Sequence, residues 1–111
     1  ITINLALSNS TYSTKNMIVT LRQLQYIVAV ADHQSYSKGA EFCHAEQSTV
    51  SHQIKQAEDR LGINIFRKKS QPIEVTPEGV EVVKQAREIL EKVEDLIRPF
   101  KPIQPTTKKQ S

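Results

Sequence analysis

The stretch from Gln34 to Gly62 constrains the fold of this chain more than any other. It reads Gln-Ser-Tyr-Ser-Lys-Gly-Ala-Glu-Phe-Cys-His-Ala-Glu-Gln-Ser-Thr-Val-Ser-His-Gln-Ile-Lys-Gln-Ala-Glu-Asp-Arg-Leu-Gly. A short helix is expected over roughly Tyr36 to Cys43, then a tight break at His44-Ala45-Glu46, then a longer helix from Gln47 to about Leu61 that Gly62 stops. That order is helix-turn-helix. In the second helix Val50, Ile54, Ala57 and Leu61 recur at spacings of four, three and four, which places them on one stripe for burial. Gln47, Ser48, Thr49, Ser51, His52 and Lys55 crowd the other side with hydrogen-bonding groups and little net charge. Such a face suits the edges of nucleic-acid bases.

Upstream, Thr20 can cap a scaffold helix from Leu21 to about His33, with Leu24, Ile27, Val28 and Ala31 as its inward stripe. Ser35 can cap the next helix by accepting from the amide of Ser37 or Lys38, and Ala40 with Cys43 is expected to face the core. Gly39 costs that helix on the order of 1 kcal/mol relative to alanine, which suggests a close helix crossing there. Cys43 reads as a small core residue; a sensor or metal-ligand role would want exposure and cationic neighbours.

After Gly62 the pattern changes to Ile63-Asn64-Ile65-Phe66, then Arg67-Lys68-Lys69-Ser70-Gln71-Pro72, then Ile73-Glu74-Val75. Two short alternating runs around a basic turn predict a β-hairpin wing. By itself the cation cluster would be a solvated loop tip, but directly after a helix-turn-helix it points to phosphate contact. Thr76-Pro77-Glu78 then supplies a capping hydroxyl, a first-position proline and a first-turn acid for a helix of about 22 residues, or about 33 Å, running to about Arg98. Val83, Ala86, Leu90, Val93, Ile97 and Phe100 step by three, four, three, four and three, and Val82, Ile89 and Leu96 widen the seam. This heptad pattern predicts packing against a second copy; the alternative is a helix lying back on its own domain.

With 111 residues and 38% hydrophobic residues there is room for one small domain with a modest core. The net charge of +3 is misleading. Residues 21–100 carry eleven Lys or Arg against twelve Asp or Glu, a balance of −1, and the basic surplus sits at Lys15, Lys101, Lys108 and Lys109. No run approaches the roughly 20 apolar residues that span a bilayer, no secretory leader opens the chain, and one Cys with three His frames neither a disulfide nor a zinc site. A cytoplasmic protein without cofactor, metal or membrane partner is expected. Residues 1–16 alternate at first like a strand and then read as a disordered extension; Met17 is a candidate native start, with what precedes it upstream or engineered. Residues 99–111, rich in proline and then polar, read as a flexible tail. The domain proper is expected over 17–76 and the linker helix over 77–98.

Taken together, the chain from about Leu21 to Leu90 resembles the N-terminal domain of LysR-type transcriptional regulators. The matching residues are Ala29-Val30-Ala31, Ser35-Tyr36-Ser37-Lys38-Gly39-Ala40-Glu41, Gln47 through Lys55, Glu58, Leu61-Gly62-Ile63, Phe66, and Thr76-Pro77-Glu78-Gly79. Cys43-His44 is similar to the peroxide-responsive subgroup. The resemblance implies a mainly α fold: a winged helix-turn-helix with a short β-hairpin wing, followed by a long dimerisation helix. It also implies a bacterial regulator, dimeric and often tetrameric, that reads a partly palindromic operator and contacts RNA polymerase in its full-length form. Carried over, Gln47, Ser48, Thr49, Ser51 and His52 reach bases and nearby phosphates, with Lys68 in the wing. Ser37, Lys38, Lys55 and Lys69 complete the expected DNA-contacting set, and Val83, Ala86, Ile89, Leu90, Val93, Leu96, Ile97 and Phe100 the dimer interface. The large effector domain of such regulators is not part of this sequence, so a DNA-binding and dimerisation fragment is expected.

Four departures from the family pattern bear on chemistry. His52 and Lys68 stand where the family usually has Arg, which removes a fork able to grip guanine or phosphate in two places. Glu46 replaces a small capping residue, and Ala57 replaces a usual Leu. A competing expectation is a protein-interaction module in which the helix-turn-helix is only a scaffold. Its support is the near-neutral balance of residues 21–100. No catalytic motif is present, and three glycines form no phosphate loop.

Overall fold

The computed structural model describes residues 19–100; the expectations for residues 1–16, Met17 and the tail beyond Phe100 lie outside the described residues. Four helices follow in order: α1 Leu21–His33, α2 Tyr36–Phe42, α3 Gln47–Leu61 and α4 Pro77–Ile97, the last running into a single 3-10 turn at Arg98–Phe100. The caps explain the boundaries. Thr20 Oγ1 accepts from the Gln23 amide at 3.1 Å while Gln23 Oε1 accepts from the Thr20 amide at 3.0 Å, a reciprocal capping box. Ser35 Oγ accepts from the Lys38 amide at 3.0 Å to start α2, and Thr76 does the same for α4 from the Gly79 amide at 3.0 Å. Gly62, at φ 76°, closes α3 in the left-handed conformation.

Helix α1 is the centre of the bundle and packs on α2, α3 and α4. Its inward face is broader than the expected stripe and rotated from it. Tyr26, Ile27, Ala29 and Val30 are buried, whereas Leu24, Val28 and Ala31 are only half-buried. Two close backbone approaches lock the layers. A Cβ on Gly39 would lie 2.9 Å from Val30 Cγ2 and 3.0 Å from the Val30 backbone, so α2 crosses α1 where only glycine fits. A Cβ on Gly79 would fall 2.4 Å from the Ile65 carbonyl oxygen, so the start of α4 lies directly against the first strand of the wing.

Three expectations need correction. Leu61, assigned to the buried stripe of α3, is 38% exposed; the place one turn earlier goes to Glu58, at 8%. Leu61 instead borders a shallow apolar groove with Leu21, Leu24, Val82 and Ile89. The wing is shorter than the two alternating runs suggest: one antiparallel bridge, Phe66 with Val75, flanked by Arg67 N–H donating to Glu74 O at 2.8 Å and Thr76 N–H donating to Ile65 O at 2.9 Å. Pairing stops because Pro72 has no N–H to give and the Ile73 amide donates elsewhere, to Gln34 O in the α1–α2 turn at 3.1 Å. Finally, the heptad seam of α4 divides. Val83 and Ala86 are buried in their own domain, which takes them out of the expected dimer interface, while Ile89, Leu96, Ile97 and Phe100 are exposed and Leu90 and Val93 half-buried. The start of α1 lies beside the first half of α4, Leu21 and Leu24 lining a groove with Val82, Ala86 and Ile89. Beyond it the same stripe continues uncovered, up to 69% exposure at Leu96 and 81% at Phe100.

Candidate nucleic-acid interface

Helix α3 presents two chemically different sides. Val50, Ile54 and Ala57 are fully buried and fix its rotation, which leaves Gln47, Ser48, Thr49, His52 and Lys55 exposed and Ser51 half-buried at the edge. Its axial position is fixed by polar ties that periodicity does not reveal. The fully buried Gln23 of α1 donates through Nε2 to Gln53 Oε1 at 2.9 Å and to Gln56 Oε1 at 3.2 Å. Glu46 begins the helix with extended backbone and makes no side-chain capping bond to the first amides of α3.

The wing is tied to α3 through Glu58. Its Oε2 accepts from the Ile65 amide at 2.7 Å and the Phe66 amide at 3.3 Å, two buried donors that would otherwise have no partner. The Ile73–Gln34 bond holds the wing's other arm. Ser70 Oγ braces the tip, accepting from the Glu74 amide at 3.0 Å and donating to Arg67 O at 3.2 Å, and Lys69 turns the chain at φ 63°.

Between α3 and the wing lies a notch of about 310 Å³. It brings together Ser51 and Lys55 from α3 and Lys68 and Lys69 from the wing, and adds five residues outside the expected set, Tyr36, Glu58, Phe66, Arg67 and Ile73. Gln47, Ser48, Thr49 and His52 lie along the open face of α3 next to it, and Ser37 and Lys38 are exposed on α2 outside the notch. The cations are not equivalent. Lys55 Nζ meets Asp59 at 2.9 Å, a bond that raises its pKa above the ordinary lysine value, and Arg67 meets Glu74 at 3.4 Å. Lys38, Lys68 and Lys69 have no carboxylate within 4.0 Å among the described residues. Cys43 does not form a reactive site: it is half-buried against the core, and desolvation pushes its thiol above the usual range despite the opposing field of Arg22.

A short helix crossing a scaffold helix, a second helix with an open polar face, and a basic loop beside it make this a winged helix-turn-helix domain. The family model for the bacterial regulatory helix-turn-helix proteins of the lysR family matches residues 21–80, and the chain belongs to that family. Curated relatives include a hydrogen peroxide-inducible genes activator of Pectobacterium carotovorum subsp. carotovorum, 37% identical over 78 residues, which are 70% of this chain and 26% of that protein. The RuBisCO operon transcriptional regulator of Allochromatium vinosum is 38% identical over 88 residues, covering 77% of this chain and 29% of that one. The chain thus spans about a quarter of the length of these relatives. Among solved structures, the BenM DNA-binding domain in complex with catB site 1 DNA superposes with a TM-score of 0.70 at 35% identity, over 72% of this chain and 86% of that one.

Proposed function

We propose that this chain is the DNA-binding and dimerisation part of a transcriptional regulator, a homodimer that lays α3 in the major groove of a partly palindromic operator and sets the wing on the adjoining backbone. The observation that carries the reading is the two-sidedness of α3: its apolar stripe is sealed in the core while Gln47, Ser48, Thr49 and His52 stand outward beside a basic wing. Gln47 can pair bidentately with adenine, the hydroxyls of Ser48 and Thr49 can reach either partner of a base pair, and the Thr49 methyl suits thymine. Similarity to a domain solved on DNA supports the same partner. The homodimer reading is supported by the uncovered stripe of Ile89, Leu96, Ile97 and Phe100, more apolar surface than a solitary helix end leaves to water.

Fluorescence anisotropy with a random duplex pool and with inverted repeats, at several salt concentrations and alongside sedimentation, tests both parts. Tight binding to a dyad-symmetric subset by a dimer is the expected result. One observation favours a second reading, a protein-interaction module: the balance of −1 over residues 21–100. A dimer with no duplex affinity at any salt concentration would establish that reading in place of the first.

A further inference from the structure

The notch between α3 and the wing contains one group that the helix-and-wing account of DNA binding does not use. Tyr36, the first residue of α2, is half-buried, and its ring packs edge-on against Phe66 with centroids 6.0 Å apart. The ring is therefore fixed by the same wing strand that Glu58 anchors. Its hydroxyl has no hydrogen-bond partner among the described residues, although the residue lines a polar notch. A fixed aromatic ring with an unused O–H donor is a pre-oriented group waiting for an acceptor.

The rest of the notch indicates which acceptor. Lys55, Arg67, Lys68 and Lys69 line it against one carboxylate, Glu58. Glu58 is committed through Oε2 to two backbone amides at the floor, and four cations stand against its single charge. Lys55 and Arg67 are partly neutralised by Asp59 and Glu74, which leaves Lys68 and Lys69 as the cations open to a new partner. Ser51 adds a second hydroxyl from α3.

We infer that this notch is a seat for one phosphodiester of the bound duplex, in which the Tyr36 hydroxyl donates to a phosphate oxygen from the α2 side while Lys68 and Lys69 close on it from the wing. The inference rests on the proposed DNA-binding function and deepens it. It assigns Tyr36 a register-setting role: a phosphate held between two rigid elements fixes how deep and at what rotation α3 enters the groove. Burial of the ring, with the nearby Glu58 charge, raises the phenol pKa above its ordinary value of 10.0, so the group remains a neutral donor at physiological pH.

The test is Tyr36→Phe, which keeps the ring against Phe66 and removes the hydroxyl alone. Melting temperature should be unchanged. Duplex affinity should fall on the order of tenfold, by a similar factor for all sequences, since the lost bond is to a charged acceptor and carries no base information. The slope of log K against log salt should stay as in the wild type because no counterion-releasing charge is lost, whereas Lys68→Ala should flatten it by about 1. A scan of single methylphosphonates through the duplex should find a position whose neutralisation weakens the wild type more than it weakens Tyr36→Phe. Wild-type binding matched by Tyr36→Phe at every salt concentration, or no such position in the scan, overturns the phosphate seat and leaves the DNA-binding function standing. Absence of duplex binding by the wild type overturns both.

Discussion

Glu58→Ala removes the carboxylate that hydrogen-bonds α3 to the wing, and its cost can be worked from the contacts. Glu58 is 8% exposed, and the residues whose amides donate to it are almost sealed, Ile65 at 0% and Phe66 at 3%. Deleting the acceptor leaves both donors unsatisfied. A buried amide without a partner costs about 1–3 kcal/mol, and the 2.7 Å bond to Ile65 sits at the upper part of that range while the 3.3 Å bond to Phe66 sits at the lower. The lost methylene adds about 0.8 kcal/mol, and alanine's better helix propensity returns a few tenths. The sum is about 4 kcal/mol, which for a domain of this size lowers Tm by roughly 16–32 °C. Urea and thermal melts followed by circular dichroism, at one fixed protein concentration because association also stabilises, measure it. Glu58→Gln retains an acceptor oxygen and loses only charge assistance, so it should cost about 1 kcal/mol. Lys55→Ala, which breaks an exposed pair on the same helix, should leave stability almost unchanged. An alanine variant within about 0.5 kcal/mol of the wild type, or one no worse than the glutamine variant, would refute the claim that these two amides depend on Glu58.

Three further outcomes follow from particular contacts. Gly79→Ala places a methyl 2.4 Å from the Ile65 carbonyl oxygen, so α4 must shift against the wing; a loss of roughly 1–3 kcal/mol in urea unfolding is expected, and an unchanged midpoint would remove the close approach from the account. The Arg87 guanidinium, hydrogen-bonded to Asp32, holds that carboxyl below its ordinary value of 3.8. A depressed carboxylate pKa contributes stability that is complete above the unfolded value and is lost as pH falls through the folded one. Arg87→Ala should therefore lower stability by a few tenths of a kcal/mol at neutral pH, the pair being nearly half-exposed, and the difference from the wild type should vanish as pH falls below about 4, which flattens the acid limb. Gln47→Ala with Ser48→Ala should weaken operator binding by roughly 1–3 kcal/mol for each strong base contact and leave non-specific binding less affected; equal operator affinity in the double variant would sink the assignment of α3 as the reading helix.

Which parts of this molecule were legible in its sequence depends on the range over which each is determined. Helix starts are local: Thr20, Ser35 and Thr76-Pro77 announce them, and α1 and α4 begin where those residues put them. The tight crossing at Gly39 was also readable, because a glycine inside a helix otherwise has only a cost. Burial of polar groups was not readable. Glu58 occupies a position where charge pattern suggests solvent, and only Ile65 and Phe66, seven and eight residues on, explain why it turns inward. Gln23 is the same case across some 30 residues of chain. The heptad count in α4 identified the correct stripe but not its cover: periodicity says which side avoids water, while tertiary contact decides whether α1 or a partner covers Val83 and Ala86. The notch residue Tyr36 escaped because its setting is long-range: its ring packs on Phe66, 30 residues further on, and the unused hydroxyl emerges only once the wing is folded over it.

The near-neutral charge of the folded region leads to a numerical expectation for DNA binding. What counts for binding is not the net charge but the number of cations able to displace counterions from phosphate. Residues 21–100 hold their acids largely away from the notch or in pairs: Asp59 with Lys55, Glu74 with Arg67, Asp32 with Arg87, Asp95 with Arg98. The lower bound on useful cations is therefore Lys68 and Lys69, and the upper bound adds Lys38, Lys55 and Arg67 if the two ion pairs open toward the backbone. At roughly 0.9 per phosphate neutralised, two to five contacts give a slope of log K against log salt of about −2 to −5 for one protomer and about −4 to −9 for a dimer on both half-sites. Lys55→Ala then reports which bound applies. If the Lys55–Asp59 pair stays closed on DNA the slope will not change, and if it opens the slope will flatten by about 1 per protomer. A wild-type slope shallower than about −2 would mean that the wing lysines do not touch phosphate at all, and the wing would then have to be reassigned as a structural brace for Glu58 and α4.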